Sequence, residues 1–196
     1  MHPAHRLTVI ALLLMIQSLA GCGGLQEMWA GPGADSFHPK SIAVLPPLVG
    51  QYEGARDLAG DVLVTALAEK KSFQKIVPME QVRTVFQEKE AGDILTAYYA
   101  KFEATGQSDR EMAVTLGKLL EADALLLAKV NVWEYTRSEG DNLAKVSLGL
   151  RLVDGAQGGL VWKARQEKTK SYMFLKPDLR DLAEDVAEGM VKYLPR

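Results

Sequence analysis

Histidine and cysteine are nearly absent from this chain. Among 196 residues there are three histidines and one cysteine, and only His38 lies beyond the first few positions. A Ser-His-Asp or Cys-His catalytic arrangement needs a histidine inside the fold. A zinc centre needs several Cys or His ligands. Neither supply exists after position 38. One cysteine also excludes an intrachain disulfide. An excess of positive charge is missing too. The formal net charge is −2, so there is no electrostatic footprint for nucleic acid. Glycine-rich phosphate loops are lacking: "PPLVGQYEG" has neither G-x-x-x-x-G-K-[ST] nor G-x-G-x-x-G. Carboxylate pairs such as Asp181 with Asp185 fall on the solvated face of an amphipathic helix. No catalytic set, metal or cofactor is assigned. What remains, 47% hydrophobic and 24% charged residues, is the composition of an ordinary globular protein.

The longest apolar run, Leu7 to Ile16, stops at ten residues. A membrane-spanning helix needs about 20. Arg6 precedes the run and the small residues of "SLAG" follow it, which is the layout of an export signal. The run leads directly to the lone cysteine. "LAGC", Leu19 to Cys22, resembles the lipobox of bacterial lipoproteins at all four positions. The resemblance implies that Leu19, Ala20 and Gly21 are read by the signal peptidase, that cleavage precedes Cys22, and that Cys22 carries the lipid. Chemistry favours a thiol for that transfer, because it is the nucleophilic side chain near neutral pH. Gly23, rather than an aspartate, implies the periplasmic face of the outer membrane, with the inner membrane as the alternative.

Residues 1–21 are therefore expected to be a signal peptide and residues 22–38 a lipidated tether. The tether reading rests on the Gly-, Pro- and Ala-rich stretch "GGLQEMWAGPGADSFH". Sixteen flexible residues would span roughly 20–24 Å. Trp29 would either dip into the membrane interface or rest on the domain.

Residues 39–196 read as one α/β domain. "SIAVLPP" predicts a buried strand closed by two prolines. A helix is predicted from about Ala55 to Lys70, with Leu58, Val62, Leu63, Ala66 and Leu67 on one face. "SFQKIVP" predicts a strand, "MEQVRTVFQEKE" a helix, and "AGDILTAYYAKFEATGQ" a further helical segment. Ser108 and Glu111 have the spacing of a capping box. "ADALLLAKVNVWEYT", "KVSLGLRLVD" and "LVWKARQEKTKSY" predict three strands joined by short turns. Asp178 is placed as the cap of the last helix. The order is strand, helix, strand, two or three helices, three strands, helix. It predicts a mixed sheet of about five strands, parallel where helices intervene and an antiparallel meander at the end, with helices packed on it.

Two segments carry a wider likeness. "GKLLEADALLLAKV" and "RLVDGAQGGLVWKA" look like the helix-to-strand junction and the D-x-x-x-G turn of a periplasmic lipoprotein superfamily. That superfamily includes the curli secretion channel subunit, the lipoprotein activators of penicillin-binding proteins and the N-terminal domain of TolB. "IAVLPP" and "DLAGDVLVTALAEK" fit its opening. The likeness spans roughly Ser41 to Lys192.

The expected function is a non-enzymatic, membrane-anchored docking or assembly module for an envelope complex. The resemblance implies two alternatives: a subunit or accessory of an export channel, and an activator of a peptidoglycan synthase. The partners are the membrane, through Cys22, and an envelope protein, with self-association left open. Trp133 and Tyr135, two apart on one strand face, are the candidate interaction patch if exposed; a helix over that face would instead bury them. Trp162 is expected to cover one end of the core or, less simply, to stack on a ligand.

Overall fold

The computed structural model describes residues 25–195. A six-stranded mixed sheet lies between two helical layers. The strands are β1 (Glu27–Ala30), β2 (Ser41–Val44), β3 (Lys75–Val77), β4 (Ala124–Ser138), β5 (Asp141–Asp154) and β6 (Leu160–Tyr172), in the spatial order β1-β6-β5-β4-β2-β3. The helices are α1 (Arg56–Lys70), α2 (Met79–Glu88), α3 (Gly92–Thr105), α4 (Arg110–Leu120) and α5 (Leu179–Val191). β2 runs parallel to β3 and β4, the strands reached through helical connections, while β4, β5, β6 and β1 are antiparallel. Both halves match the predicted pairing.

The sixth strand is a departure. β1 comes from the segment read as tether, and pairs with β6 from Glu27↔Arg165 to Ala30↔Trp162. Composition hid it, because its four side chains are all exposed and its flanks are glycine-rich. Edge strands are specified by backbone pairing, which leaves little trace in hydropathy.

Each sheet face has its own core. Leu63 and Leu67 of α1 and Val186 and Met190 of α5 pack against Leu148 and Leu150. On the other face Phe86, Tyr98, Phe102 and Leu116 of α2 to α4 pack against Leu125 and Val153. A buried aliphatic side chain contributes about 1.5–3 kcal/mol, so these two layers dominate the stability. Among the described residues, every buried apolar one falls between Ala34 and Leu194, and both sheet faces are covered by helices from within that segment. Lys70 ties the two helices of one layer together: its ammonium, from α1, donates to the carbonyls of Val191 and Leu194, each at 2.7 Å, closing the C-terminal end of α5.

The capping box is overturned. Asp109, not Ser108, caps α4, its carboxylate accepting from the Met112 amide at 3.0 Å. The Ser108 hydroxyl instead donates to the Gly158 carbonyl at 2.9 Å and meets the Tyr98 hydroxyl at 3.0 Å. Two adjacent residues can both cap, and tertiary contacts at Ser108 decided between them. Asp178 caps α5 as expected, accepting from the Arg180 amide at 2.8 Å.

The junction "EAD" has a structural purpose. Glu121 ends α4 in the left-handed region at φ 50°. Asp123 then accepts from the amides of Lys40 and Ser41, both at 2.9 Å, while its own amide donates to the Ser41 hydroxyl at 2.9 Å. The start of β4 is thereby tied to the start of β2. Partial burial pushes the Asp123 carboxyl up, but the bonds from Ser41 and Lys40 outweigh it and hold the group below the ordinary aspartate range. A depressed folded value means that the contribution is full above the unfolded value, about 3.9, and is lost as pH falls through the folded one. Asp123→Ala is expected to cost about 1 kcal/mol near neutral pH, the carboxylate being solvent-exposed. Denaturant titrations of wild type and variant should begin to converge as pH falls below about 4 and meet only below the depressed folded value; a gap that persists undiminished in acid would refute the charge-assisted tie.

Candidate functional site

β4 to β6 are longer than the helices that cover them. On the α2–α4 side the helices stop short, and the remainder of the sheet is open. Period-two alternation places Lys129 of β4, Arg151 of β5 and Lys163 and Arg165 of β6 on this bare face. With Glu27 and Trp29 of β1, Asn131 and Gly149 they line a depression of about 670 Å³.

Three of the four cations are held by neighbouring groups. The Arg151 guanidinium lies 4.5 Å from the Phe102 ring centroid of α3. Burial pulls its pKa below the ordinary arginine value, against the opposing pull of Glu27 and Tyr98. Lys129 pairs with Glu103 at 3.3 Å. Arg165 reaches Glu27 at 4.0 Å with one terminal nitrogen, while its buried Nε has no hydrogen-bond partner in the protein. The register of β4 slips between Val130 and Val132. This bulge turns Asn131 over Gly149, where a Cβ would stand 3.3 Å from the Asn131 amide nitrogen. Positive charge therefore exceeds negative charge in the groove, and Trp29, 40% exposed, gives it an aromatic wall.

Cys22 and its recognition residues Leu19, Ala20 and Gly21 lie outside the described residues. Trp133 and Tyr135 do share a strand face, the one facing α1 and α5. Trp133 is partly buried against that core. Tyr135 is 36% exposed and already engaged: its hydroxyl donates to the Pro177 carbonyl at 2.7 Å, Lys176 sits 3.5 Å over its ring, and Tyr172 meets it edge-on at 6.1 Å. The pair is not an open aromatic patch. Trp162 is 1% exposed and belongs to the core. Its indole is closed to a stacking ligand.

Two surface features were missed. One is the cationic groove, whose signal was the spacing Lys163-x-Arg165 beside Arg151 and Lys129 once strand pairing is known. The other is the segment Met173–Leu175 after β6, whose three side chains are 83%, 93% and 89% exposed. "YMFL" at the end of a charged strand was its visible sign. Among the described residues, no three His, Cys, Asp or Glu side chains cluster as metal ligands. No described helix is long and apolar enough to cross a membrane.

No protein-family model matches the chain, and no curated protein matches its sequence. Solved structures do resemble it. The PelC dodecamer from Paraburkholderia phytofirmans is 16% identical, with a TM-score of 0.55 over 86% of this chain and 95% of that one. Lipoprotein GNA1162 from Neisseria meningitidis is 20% identical, with a TM-score of 0.53 over 79% and 99%. The hypothetical protein CT253 from Chlamydia trachomatis is 13% identical, with a TM-score of 0.51 over 79% and 96%. At such identities the likeness is one of fold: this chain shares its α/β architecture with these proteins, among them a bacterial lipoprotein.

Proposed function

We propose that this protein is a non-enzymatic, lipid-anchored envelope module that docks an acidic segment of a partner protein on the open face of its sheet. The observation that carries the reading is the groove itself: four cations on neighbouring strands, three of them held by a ring or a carboxylate, beside an exposed tryptophan. A rigid array of one sign in a chain of net charge −2 favours partners of opposite charge and rejects like-charged ones. The membrane anchor is Cys22. The test is to cross-link the protein in membranes and identify what it holds. Lys129 and Lys163 are exposed, so K129E/K163E should fold and anchor normally while capturing its partner about tenfold less well. Unchanged capture would rule out the groove as the docking face.

A second reading draws on the dodecamer formed by one fold neighbour: copies of this chain assemble beside an export channel. The domain would not line the pore itself. Its long strands exceed the roughly 9–11 residues that a barrel strand needs, but one side of them is committed to the core and the other carries the cations. Lys and Arg facing lipid cost about 2–4 kcal/mol each at the bilayer midplane. Purified lipidated protein is accordingly expected to leave dye-loaded liposomes intact. Discrete single-channel conductance from this protein alone would refute that expectation.

A further inference from the structure

Met173, Phe174 and Leu175 form the most exposed apolar group among the described residues. They are not the edge of a core. They sit in the turn between β6 and α5, and the turn is braced from behind. Tyr135 packs T-shaped with Tyr172, donates its hydroxyl to the Pro177 carbonyl and carries Lys176 over its ring. The three apolar side chains are thus presented outward on a fixed knuckle, flanked by the exposed cations Lys170 and Lys176.

The direction of the chain says what this knuckle meets. β1 is antiparallel to β6, and the Gln26 amide donates to the Arg165 carbonyl at 3.0 Å. The polypeptide therefore enters β1 from the Tyr172 end of the sheet. Cys22 stands five residues before Glu27, at most about 17 Å away along the chain. Tyr172 lies seven residues beyond Arg165, the partner of Glu27, or about 23 Å along the strand. The first described residues and the apolar turn lie at the same end of the sheet, and the turn projects at least as far as five residues of extended chain before Glu27 could reach.

We propose that Met173–Phe174–Leu175 is a membrane-insertion tip, seated in the interface of the bilayer that carries the Cys22 anchor. The proposal rests on the lipid-anchor reading for its geometry. Aromatic and aliphatic side chains flanked by lysine are the composition of interfacial insertion. Three side chains are far too few for a stable protein interface, which buries about 800 Å² on each partner. The neighbouring β4–β5 turn carries Arg137, Glu139 and Asp141, so the tip as a whole is not strongly cationic and apolar burial drives the seating. One lipidated residue plus an inserted tip fixes the orientation of the domain, which a single tether does not.

The test uses residues 25–196, which hold both helix-covered cores of the described sheet and no cysteine. A hexahistidine tag replaces the preceding residues and binds nickel-chelating lipid in phosphatidylcholine–phosphatidylglycerol vesicles. The outcome is thus independent of whether Cys22 is acylated in cells, which lipid labelling reports separately. Leu175→Cys carries an environment-sensitive nitrobenzoxadiazole dye, and Gln157→Cys, in the turn at the opposite end of β6, is the control. The expected result is a several-fold rise and blue shift at 175 on vesicle addition, with no change at 157. Phe174→Asp should abolish the rise without altering circular dichroism, since the side chain is 93% exposed. No change at 175, or an equal change at both positions, overturns the proposal. So does a rise at 175 without vesicles that tracks a doubling of mass, which would mean that the tip meets a second copy.

Discussion

Cys22→Ser is expected to abolish lipid labelling, leave the signal peptide uncleaved and release no mature protein. The thiol is the acceptor of the diacylglyceryl group that the lipobox resemblance implies, and serine cannot replace it. A thiol has a pKa near 8.5 and yields reactive thiolate at neutral pH, whereas a hydroxyl stays protonated there. Processing follows lipidation, so the defect is all-or-none. Retention through lipid fails for the same reason. Each buried CH₂ contributes about 0.8 kcal/mol, and several acyl chains together exceed anything that the Met173–Leu175 tip could supply. The measurement is incorporation of labelled fatty acid with electrophoretic mobility of the precursor. A variant that is processed normally and sediments with membranes would refute the anchor.

Gly158→Ala is expected to be the most damaging single-methyl change in the folded domain. The turn "DGAQGG" joins β5 to β6 and is pressed against the start of α4. The Asp154 carboxylate accepts from the amides of Ala156 and Gln157 at 2.7 and 2.9 Å. Gly158 then sits at φ +72°, where a Cβ would stand 2.3 Å from the Arg110 carbonyl oxygen and 2.5 Å from its Cα. Two costs combine. A left-handed conformation costs an L-residue about 1–2 kcal/mol. Overpacking against a backbone that cannot step aside costs about 1–3 kcal/mol more. A loss of about 3 kcal/mol lowers Tm by roughly 6–12 °C for a domain of this size. Gly159→Ala is the control. Nothing lies within 4 Å of a Cβ there, so its effect should stay within about 0.5 kcal/mol. Equal thermal shifts for the two variants would show that the packing of this turn on α4 is not what fixes the glycine.

The same turn shows how far the sequence could be read. The D-x-x-x-G pattern and the alternation of Val146, Leu148, Leu150 and Leu152 identified a hairpin and its buried face. Both are local, because side-chain direction follows from strand period alone. The amphipathic faces of α1 and α5, the Asp178 cap and the parallel-then-antiparallel order were legible on the same ground.

Other features depended on what lies across space. Choosing Asp109 over Ser108 as the cap needed Tyr98 and Gly158 beside the Ser108 hydroxyl. Recognising β1 needed its β6 partner, since an exposed edge strand has no hydrophobic signature. Tyr135 looked like a free aromatic until Pro177, Tyr172 and Lys176 surrounded it. The groove is assembled from β1, β4, β5 and β6, strands whose cations are as much as 36 positions apart in sequence. Composition and period by themselves determined that this is an α/β domain, and the expected lipid anchor rested on the lipobox resemblance of Leu19 to Cys22. Only the tertiary structure decided which charges gather on one face and which apolar residues stay outside the core, because both depend on how strands register and how far helices reach over them.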